Sequence, residues 1–241
     1  FKFLWTGNET IGIYPENTTP IPFTLTGSKS PSEATFSNKD EVIVPGKKYY
    51  AFCPYTNLLD ESTPQDVEIS YEGQTMDKFL DADDTITHIG DYDFLYAKTV
   101  IPTDTTSIPK FSFARIGALI RLKIDLPELN ATYKKMTFTA LEEPQTRNQF
   151  IVGGRLDMDT GKLYDVKTSQ DMTIYLNNIV ATKEKGQQVY TAFMIYPGDK
   201  RYGFKLSLEY ESNGKLKNKL YYLNGYIYKA NYYYKQVAME Y

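Results

Sequence analysis

An all-β fold is predicted by three features of the sequence. First, apolar and polar residues alternate along most of the chain; in Ile120–Leu126, for example, Arg121, Lys123 and Asp125 separate four aliphatic residues. A period of two indicates a strand with one buried and one solvated face. Second, the 22 tyrosines and 13 phenylalanines are residues that favour strands. Third, no segment between these strands has the roughly ten residues of helical periodicity that an α/β fold requires.

Strands are predicted wherever this alternation, or a short run of aromatic and β-branched residues, occurs. About a dozen short strands separated by turns are typical of a β-sandwich. In chain order the main predicted strands are Thr10–Tyr14, Lys48–Cys53, Val67–Tyr71, Tyr92–Ala97, Lys110–Ala114, Ile120–Leu126, Lys135–Ala140, Met172–Leu176, Val189–Tyr196, Phe204–Tyr210 and Tyr232–Tyr241.

Only the segment Gln74–Asp84 has helical spacing, with Met76, Phe79 and Leu80 at positions i, i+3 and i+4. A helix here would have one or two turns at most. The same pattern also fits a loop that docks three apolar side chains, and the sequence leaves both interpretations open.

One hairpin turn can be predicted from side-chain parity. A two-residue turn at Asn213 and Gly214 would pair Tyr210 with Lys217 and would mix apolar with charged residues on one face. A three-residue loop with Gly214 left-handed in a β-bulge pairs Tyr210 with Leu216 instead. We therefore expect the bulged loop.

Two domains are predicted, residues 1–115 and residues 116–241. Near Ile116-Gly117-Ala118 one predicted strand ends and the next begins without a cluster of turn residues. Each part has the length of one β-sandwich.

Composition excludes several classes of function. One cysteine cannot form an internal disulfide, and one histidine with one cysteine cannot build the usual zinc site. A net charge of −3 gives no electrostatic reason to expect nucleic acid. No apolar run approaches the roughly 20 residues that span a bilayer, so the chain is not expected to be embedded in a membrane.

The residues with chemical potential each have a simple structural interpretation. His88 lies in a polar loop without a nucleophile motif and is interpreted as a surface residue. Cys53 lies in a predicted strand without a neighbouring His or Lys, which predicts a buried, inert thiol. Five aspartates are interpreted as parts of a solvated acidic loop. Calcium binding and a glycosidase carboxylate pair are the two functional alternatives for them; they are Asp81, Asp83, Asp84, Asp91 and Asp93. We predict no catalytic, cofactor-binding or metal-binding residue.

The order of motifs along the chain resembles that of the fimbrillin-like proteins of Bacteroidales, which are subunits and anchors of type V pili. The resemblance extends from end to end, with Asn8, Cys53 and Arg115 as departures from the usual residues. The motifs that carry it are Trp5–Tyr14, Ala34–Phe36, Tyr49–Tyr55, Asp93–Ala97, Phe111–Arg115 and Tyr226–Tyr234.

The resemblance implies two consecutive transthyretin-like Greek-key β-sandwich domains. It further implies a non-enzymatic lipoprotein displayed on the outer membrane or in a fimbrium, which assembles with other pilus subunits by strand exchange and supports adhesion to host or bacterial ligands. The lipid anchor would lie upstream, since the chain starts without Met and looks like a processed product.

Strand exchange would involve the strand near Phe3–Tyr14, with Ile11 and Ile13, or the last strand, Tyr232–Tyr241. On the last strand we expect one apolar face, formed by Tyr233, Val237, Met239 and Tyr241. The alternative function is a surface carbohydrate-binding module, because tyrosine rings also suit sugar stacking. A glycoside hydrolase domain is a third and weaker hypothesis.

Overall fold

The computed structural model describes residues 5, 7, 9–30, 33–56, 59–104, 108–141, 149–182, 187–198 and 201–240. These residues form β-strands in four sheets, which confirms the prediction of an all-β sandwich. The described strands are β1 (Thr10–Pro15), β2 (Ile21–Ser30), β3 (Glu33–Ser37), β4 (Lys48–Cys53), β5 (Val67–Ser70), β6 (Leu95–Val100), β7 (Ala114–Arg115), β8 (Ala118–Asp125), β9 (Thr132–Ala140), β10 (Phe150–Asp157), β11 (Lys162–Ser169), β12 (Asp171–Val180), β13 (Gln188–Ile195), β14 (Arg201–Ser212), β15 (Lys215–Ile227), β16 (Tyr233–Val237) and β17 (Met239–Glu240).

Two compact units divide the chain, and neither is continuous in sequence. Unit 1 consists of Phe1–Ile69, Asp93–Ile116 and Gly154–Val166; unit 2 consists of Ser70–Tyr92, Gly117–Gly153 and Lys167–Tyr241. The predicted border at 115/116 lies one residue from a border of these units. The simple division into 1–115 and 116–241 nevertheless differs from the units in two segments, 70–92 and 154–166.

Strand β1 lies inside the six-stranded sheet of unit 1, whose order is β3-β2-β1-β4-β6-β7. It pairs antiparallel with β2 and with β4, so that Ile11 lies opposite Phe23 and Ile13 lies opposite Ala51. All four residues from Ile11 to Tyr14 are buried. Both faces of β1 are therefore covered, as expected for a central strand.

One face of this sheet supports an apolar cluster. Its buried members are Ile11, Ile13, Phe23, Tyr49, Ala51, Cys53, Leu95, Ala97 and Ile101. Trp5 covers the cluster with its ring edge-on to Phe36 and Phe113, at centroid distances of 5.0 and 6.1 Å. The predicted strand Lys110–Ala114 is wrong except at its last residue. The side chains of Phe111 and Phe113 pack onto the cluster, but of this segment only Ala114 belongs to a strand, β7.

A buried ion pair closes the end of this sheet. Arg115 donates from Nε to Asp93 Oδ1 at 2.5 Å and from Nη2 to Asp93 Oδ2 at 2.9 Å. Both side chains are 3% exposed. Burial raises the pKa of Asp93 above its ordinary value, while the Arg115 guanidinium opposes that shift. The sequence pattern predicted that Asp93 belongs to a solvated acidic loop, and this prediction is wrong because Asp93 is buried against Arg115.

Unit 2 is a sandwich of two sheets, one with the order β12-β9-β14-β15-β17 and one with the order β13-β8-β16. Phe138 on β9 meets Phe193 on β13, with ring centroids 4.5 Å apart, and both side chains are fully buried. Aromatic contact across the two layers thus forms the centre of this core.

Residues 74–88, here called the strap, cross unit 2 without forming a helix. Met76, Phe79 and Leu80 are all less than 5% exposed, and the ring of Phe79 lies edge-on to that of Tyr133. The second interpretation of this segment, a loop that docks three apolar side chains, is therefore the one that holds.

The hairpin between β14 and β15 has the two-residue turn, so the predicted bulged loop is wrong. Asn213 and Gly214 both have positive φ, +52° and +69°, as a type I′ turn requires. Tyr210 consequently lies opposite Lys217. The parity argument failed because Leu216 is 62% exposed, whereas Lys217 keeps its ammonium 2.6 Å from Glu128 Oε1.

The described residues contain no helix with the length and hydropathy needed to cross a membrane.

Replacing Arg115 with Leu should destabilise the protein strongly, because Asp93 would remain buried without its counter-charge. We expect a loss of about 3–5 kcal/mol in the free energy of unfolding, measured by urea titration. The matched control is Arg155→Leu. Arg155 also forms an ion pair of 2.5 Å, with Asp66, but the side chains of Arg155 and Asp66 are each 43% exposed. The control should leave the urea midpoint almost unchanged. Equal effects of the two substitutions would contradict the role assigned to burial.

Candidate assembly site

The two C-terminal strands form sheet edges in unit 2. Strand β16 pairs in parallel with β8 and is the last strand of its sheet. Strand β17 pairs with β15 at two positions, where Glu240 lies opposite Tyr221 and Met239 lies opposite Tyr222. Edge strands present backbone N–H and C=O groups to which an additional strand can bind. The described end of the chain is therefore placed where strand addition is geometrically simple.

The apolar face predicted for this segment points outward. Val237 is 60% exposed, Met239 is 44% exposed and Tyr233 is half-buried. These three residues and the exposed Lys235 occupy alternate positions of the extended segment, and the fourth member of the predicted face, Tyr241, lies outside the described residues.

The opposite face of the same segment points into unit 2 and is small or polar. Ala238 is 6% exposed and Gln236 is 7% exposed. Gln236 donates from Nε2 to the hydroxyl of Tyr228 at 2.7 Å, but its Oε1 has no hydrogen-bond partner among the described residues. The segment thus buries the polar Gln236 and exposes the apolar Val237 and Met239, and both the buried polar group and the exposed apolar side chains cost stability.

The far edge of the three-stranded sheet is closed by the strap. Leu80 and Tyr190 exchange both backbone hydrogen bonds, at 2.8 and 2.9 Å. The carboxamide of Gln74 accepts from Met194 N at 2.7 Å and donates to Met194 O at 2.8 Å, so that it takes the place of a backbone strand. His88 Nε2 lies 2.8 Å from Ala192 O. The outward backbone groups of Tyr190 and Met194 and the carbonyl of Ala192 on β13 are bonded in this way.

The far edge of the five-stranded sheet is also modified. The strap bonds to β12 at Tyr175, through Met76 N to Tyr175 O at 2.7 Å and Tyr175 N to Gln74 O at 2.9 Å. Next to this contact, Asn177 and Asn178 both have positive φ, and the pairing of β12 with β9 is interrupted there. A bulge of this kind bends an edge away from further pairing. The edges that the strap leaves uncovered are those at the C-terminal strands.

The other two predicted assembly residues, Ile11 and Ile13, occupy a different environment. They are 2% and 3% exposed in the apolar cluster of unit 1, on a strand with neighbours on both sides. Phe3 lies outside the described residues. A partner strand reaches this site only when β1 leaves it.

The residues considered for catalysis have structural roles. His88 was predicted to be a surface residue, and this prediction is wrong. Its half-buried imidazole contacts the β13 backbone, and burial lowers the pKa of the imidazole. Cys53 is buried as predicted, and burial raises the pKa of its thiol, which keeps it protonated. Within the described ranges, no group of three or more His, Cys, Asp or Glu is placed to hold a metal ion.

Three tyrosine rings form a row near the start of β16. Tyr234 lies between Tyr226 and Tyr232, at centroid distances of 6.4 and 6.3 Å. Its hydroxyl accepts from Lys229 N at 2.8 Å, which fixes the ring. Tyr226 and Tyr232 are 43% and 56% exposed, but the planes along the row differ by 53° and 35°, so the rings do not form one flat platform.

Solved Bacteroides proteins have a similar fold. One from Bacteroides uniformis ATCC 8492, provisionally assigned to cell adhesion, has a TM-score of 0.59 at 15% identity, with 98% of this chain and 88% of that chain covered. Another from Bacteroides fragilis NCTC 9343, with the same provisional assignment, has a TM-score of 0.52 at 12% identity and covers 98% and 82%. At such identities the likeness establishes the fold. No family model and no curated protein matches the sequence.

Acidification should weaken the strap through His88. Because the pKa of His88 is lower in the folded than in the unfolded chain, its contribution to stability is complete above the ordinary value of 6.5 and decreases as the pH falls below it. The measurement is the free energy of unfolding as a function of pH, compared with His88→Gln, whose amide does not titrate. At pH 8, His88→Ala should cost about 1–2 kcal/mol, since Ala192 O loses its donor. Identical pH profiles for the wild type and His88→Gln would contradict this assignment.

Proposed function

We propose that the chain is a non-enzymatic fimbrial protein of the bacterial cell surface, a pilus subunit, tip or anchor, which assembles by β-strand addition and supports adhesion. The observation that carries the proposal is the inverted C-terminal segment, which buries Gln236 and Ala238 and exposes Val237 and Met239. Two proteins that share the fold carry a provisional assignment to cell adhesion, and we extend that role to this chain. The localisation to the outer membrane through an upstream lipid anchor belongs to the same proposal.

The C-terminal segment gains apolar burial when it binds to a partner. Burying one Val or Met side chain contributes roughly 1.5–3 kcal/mol. In the isolated chain Val237 and Met239 realise only part of this contribution, because about half of each side chain contacts solvent. A partner that seats both residues in pockets while pairing with the backbone supplies the missing burial.

The edges of unit 2 direct such binding to one side. The strap satisfies the outward backbone groups of β13, and the asparagine bulge disrupts β12, whereas β16 and β17 are sheet edges. Lys215, Lys217 and Lys219 at the start of β15 are of the kind that discourages unspecific edge pairing. We therefore assign assembly to the C-terminal segment, Tyr232–Tyr241.

Deleting Tyr232–Tyr241 should abolish incorporation into filaments, and the double substitution Val237→Lys/Met239→Lys should reduce it at least tenfold without unfolding the chain. The reason is that both lysines remain solvated in the isolated protein but cannot enter apolar pockets. The measurement is immunogold labelling of filaments on cells that express tagged variants. Val180→Lys is the matched control, since Val180 is 54% exposed on β12 and lies on the blocked edge. Unaltered assembly of the double variant would contradict the proposal.

Carbohydrate binding is the second candidate, favoured by the row of Tyr226, Tyr234 and Tyr232. The middle ring is held by its hydroxyl and the outer two are about half exposed, which suits stacking of sugar rings. The tilt between the rings argues against a flat platform and places this function second.

A glycan array distinguishes the two candidates. If the tyrosine row binds sugars, Tyr226→Ala and Tyr232→Ala should each weaken a positive signal about three- to tenfold, because each removes one stacking surface. Val166→Ala is the control, since Val166 on β11 is 43% exposed and far from the row in sequence. A wild-type chain that binds no glycan on the array eliminates the second candidate and leaves the fimbrial proposal intact.

A further inference from the structure

The groove that β1 fills imposes a sequence pattern on any strand that occupies it. Strand β1 lies between β2 and β4 and runs antiparallel to both, so a replacement must pair on both sides. Its four buried residues, Ile11–Tyr14, meet three different environments, since Ile11 and Ile13 share the apolar cluster of unit 1. The inference that follows rests on the proposed function, namely assembly by strand addition, and concerns which strand the groove accepts.

The position of Gly12 leaves no room for a side chain. A Cβ atom there would lie 3.0 Å from Cδ2 of Tyr55 and 3.1 Å from Cβ of Pro20. Pro20 is buried and has a rigid ring. Tyr55 is held by its N–H to Thr10 O at 3.0 Å and by its hydroxyl to Asp60 Oδ1 at 2.5 Å. A methyl group at this position would require Tyr55 or Pro20 to move by a few tenths of an ångström, and this displacement strains the groove.

The position of Tyr14 demands a neutral side chain of its own size. Tyr14 is fully buried, and its hydroxyl lies 2.9 Å from Oγ of Ser62. Ser62 Oγ donates to Leu59 O at 2.7 Å, so it accepts from Tyr14. Burial raises the pKa of Tyr14 to about 12. A carboxylate at this position would be buried without a counter-charge.

Ile11 and Ile13 fill the remaining two positions with large aliphatic side chains. Both point into the apolar cluster of unit 1, which contains Phe23, Ala51 and Cys53. Smaller residues would leave cavities there. The groove therefore fits the pattern large aliphatic, glycine, large aliphatic, tyrosine, which occurs once in the sequence, at β1 itself.

The C-terminal segment does not have this pattern in any register or in either direction. In the register that suits the aliphatic positions, Val237 and Met239 replace Ile11 and Ile13, but Ala238 then brings a Cβ to the Gly12 position. In the same register Glu240 falls at the position of Tyr14. The register that places Tyr241 there puts Met239 at the Gly12 position.

We propose that the β1 groove selects a strand with the pattern large aliphatic, glycine, large aliphatic, tyrosine, and that such a strand comes from a different protein, because the C-terminal segment of a second copy lacks the pattern and the β1 strand of a second copy fills that copy's own groove. Homopolymers that join the C-terminal segment of one copy to the β1 groove of the next are excluded by the two mismatches. The chain consequently takes part in mixed assemblies, as a donor through its C-terminal segment and as an acceptor for a partner of the stated pattern.

The test uses the whole chain with a protease site introduced at Glu16–Thr19, an exposed turn. After cleavage β1 remains bound without a covalent link, and competitor peptides are added just below the urea midpoint. The competitors are residues 1–15, the same peptide with Gly12→Ala or Tyr14→Glu, and residues 232–241; Thr10→Ser in the first peptide is the control. The competitors are isotope-labelled, so that native mass spectrometry distinguishes them from the cleaved strand and measures their occupancy.

Peptide 1–15 and its Thr10→Ser control should exchange equally well. The Gly12→Ala and Tyr14→Glu peptides should have occupancies at least tenfold lower, and peptide 232–241 at least a hundredfold lower. Equal occupancy by peptide 232–241 or by the Gly12→Ala peptide would overturn the selectivity while leaving strand addition in place. A cleaved chain that exchanges no peptide, including 1–15, would instead contradict strand addition at β1 and the inference with it.

Discussion

Unpaired backbone groups at strand edges are the constraint on which the organisation of this protein depends. An all-β chain cannot satisfy these groups locally, as a helix does, so each edge needs a partner or a device that prevents pairing. In unit 2 the strap provides both. Gln74 replaces a backbone strand at Met194, Leu80 pairs with Tyr190, and His88 reaches Ala192 O. The sole histidine and a buried glutamine thus both bond to the backbone of β13.

The abundance of tyrosine follows from the same constraint. A buried tyrosine fills the core with its ring and satisfies a loop carbonyl with its hydroxyl. Tyr133 donates to Glu128 O at 2.6 Å, Tyr92 donates to Gly73 O at 2.7 Å, and Tyr221 donates to Asp125 O. Loops that would otherwise need a helix cap or a disulfide are held to the sheets in this way. A composition that first only excluded functions is therefore part of how the fold is built.

The sequence pattern predicts a strand correctly where neighbouring residues determine its bounds. It fails where residues distant in sequence determine which side chains are buried. Lys48–Cys53 is predicted to the residue because its aromatic-rich run ends at a proline. The hairpin at Asn213 failed because the exposure of Leu216 depends on what else packs on that face, which parity does not reveal. β10 and β11 were not predicted, since β10 contains Gly153 and Gly154 and the pattern of β11 is mostly exposed. The sequence pattern picks out Tyr233, Val237 and Met239 as one set, but that Val237 and Met239 point outward depends on the register of β16 against β8.

The two strands predicted to take part in assembly differ in what their release costs. Removing β1 exposes Ile11, Ile13 and Tyr14, each of which contributes roughly 1.5–3 kcal/mol by burial, and it breaks pairing on both sides. Removing the C-terminal segment breaks the pairing of β16 with β8 and of β17 with β15 and takes away Ala238 and the half-buried Tyr233 and Tyr234, while its inward Gln236 is polar and has an unsatisfied Oε1. The C-terminal segment therefore buries fewer apolar side chains than β1, and we expect its release to cost less free energy than the release of β1. A donor that detaches readily and an acceptor groove that stays closed until it is cut would keep copies of the chain apart before assembly begins.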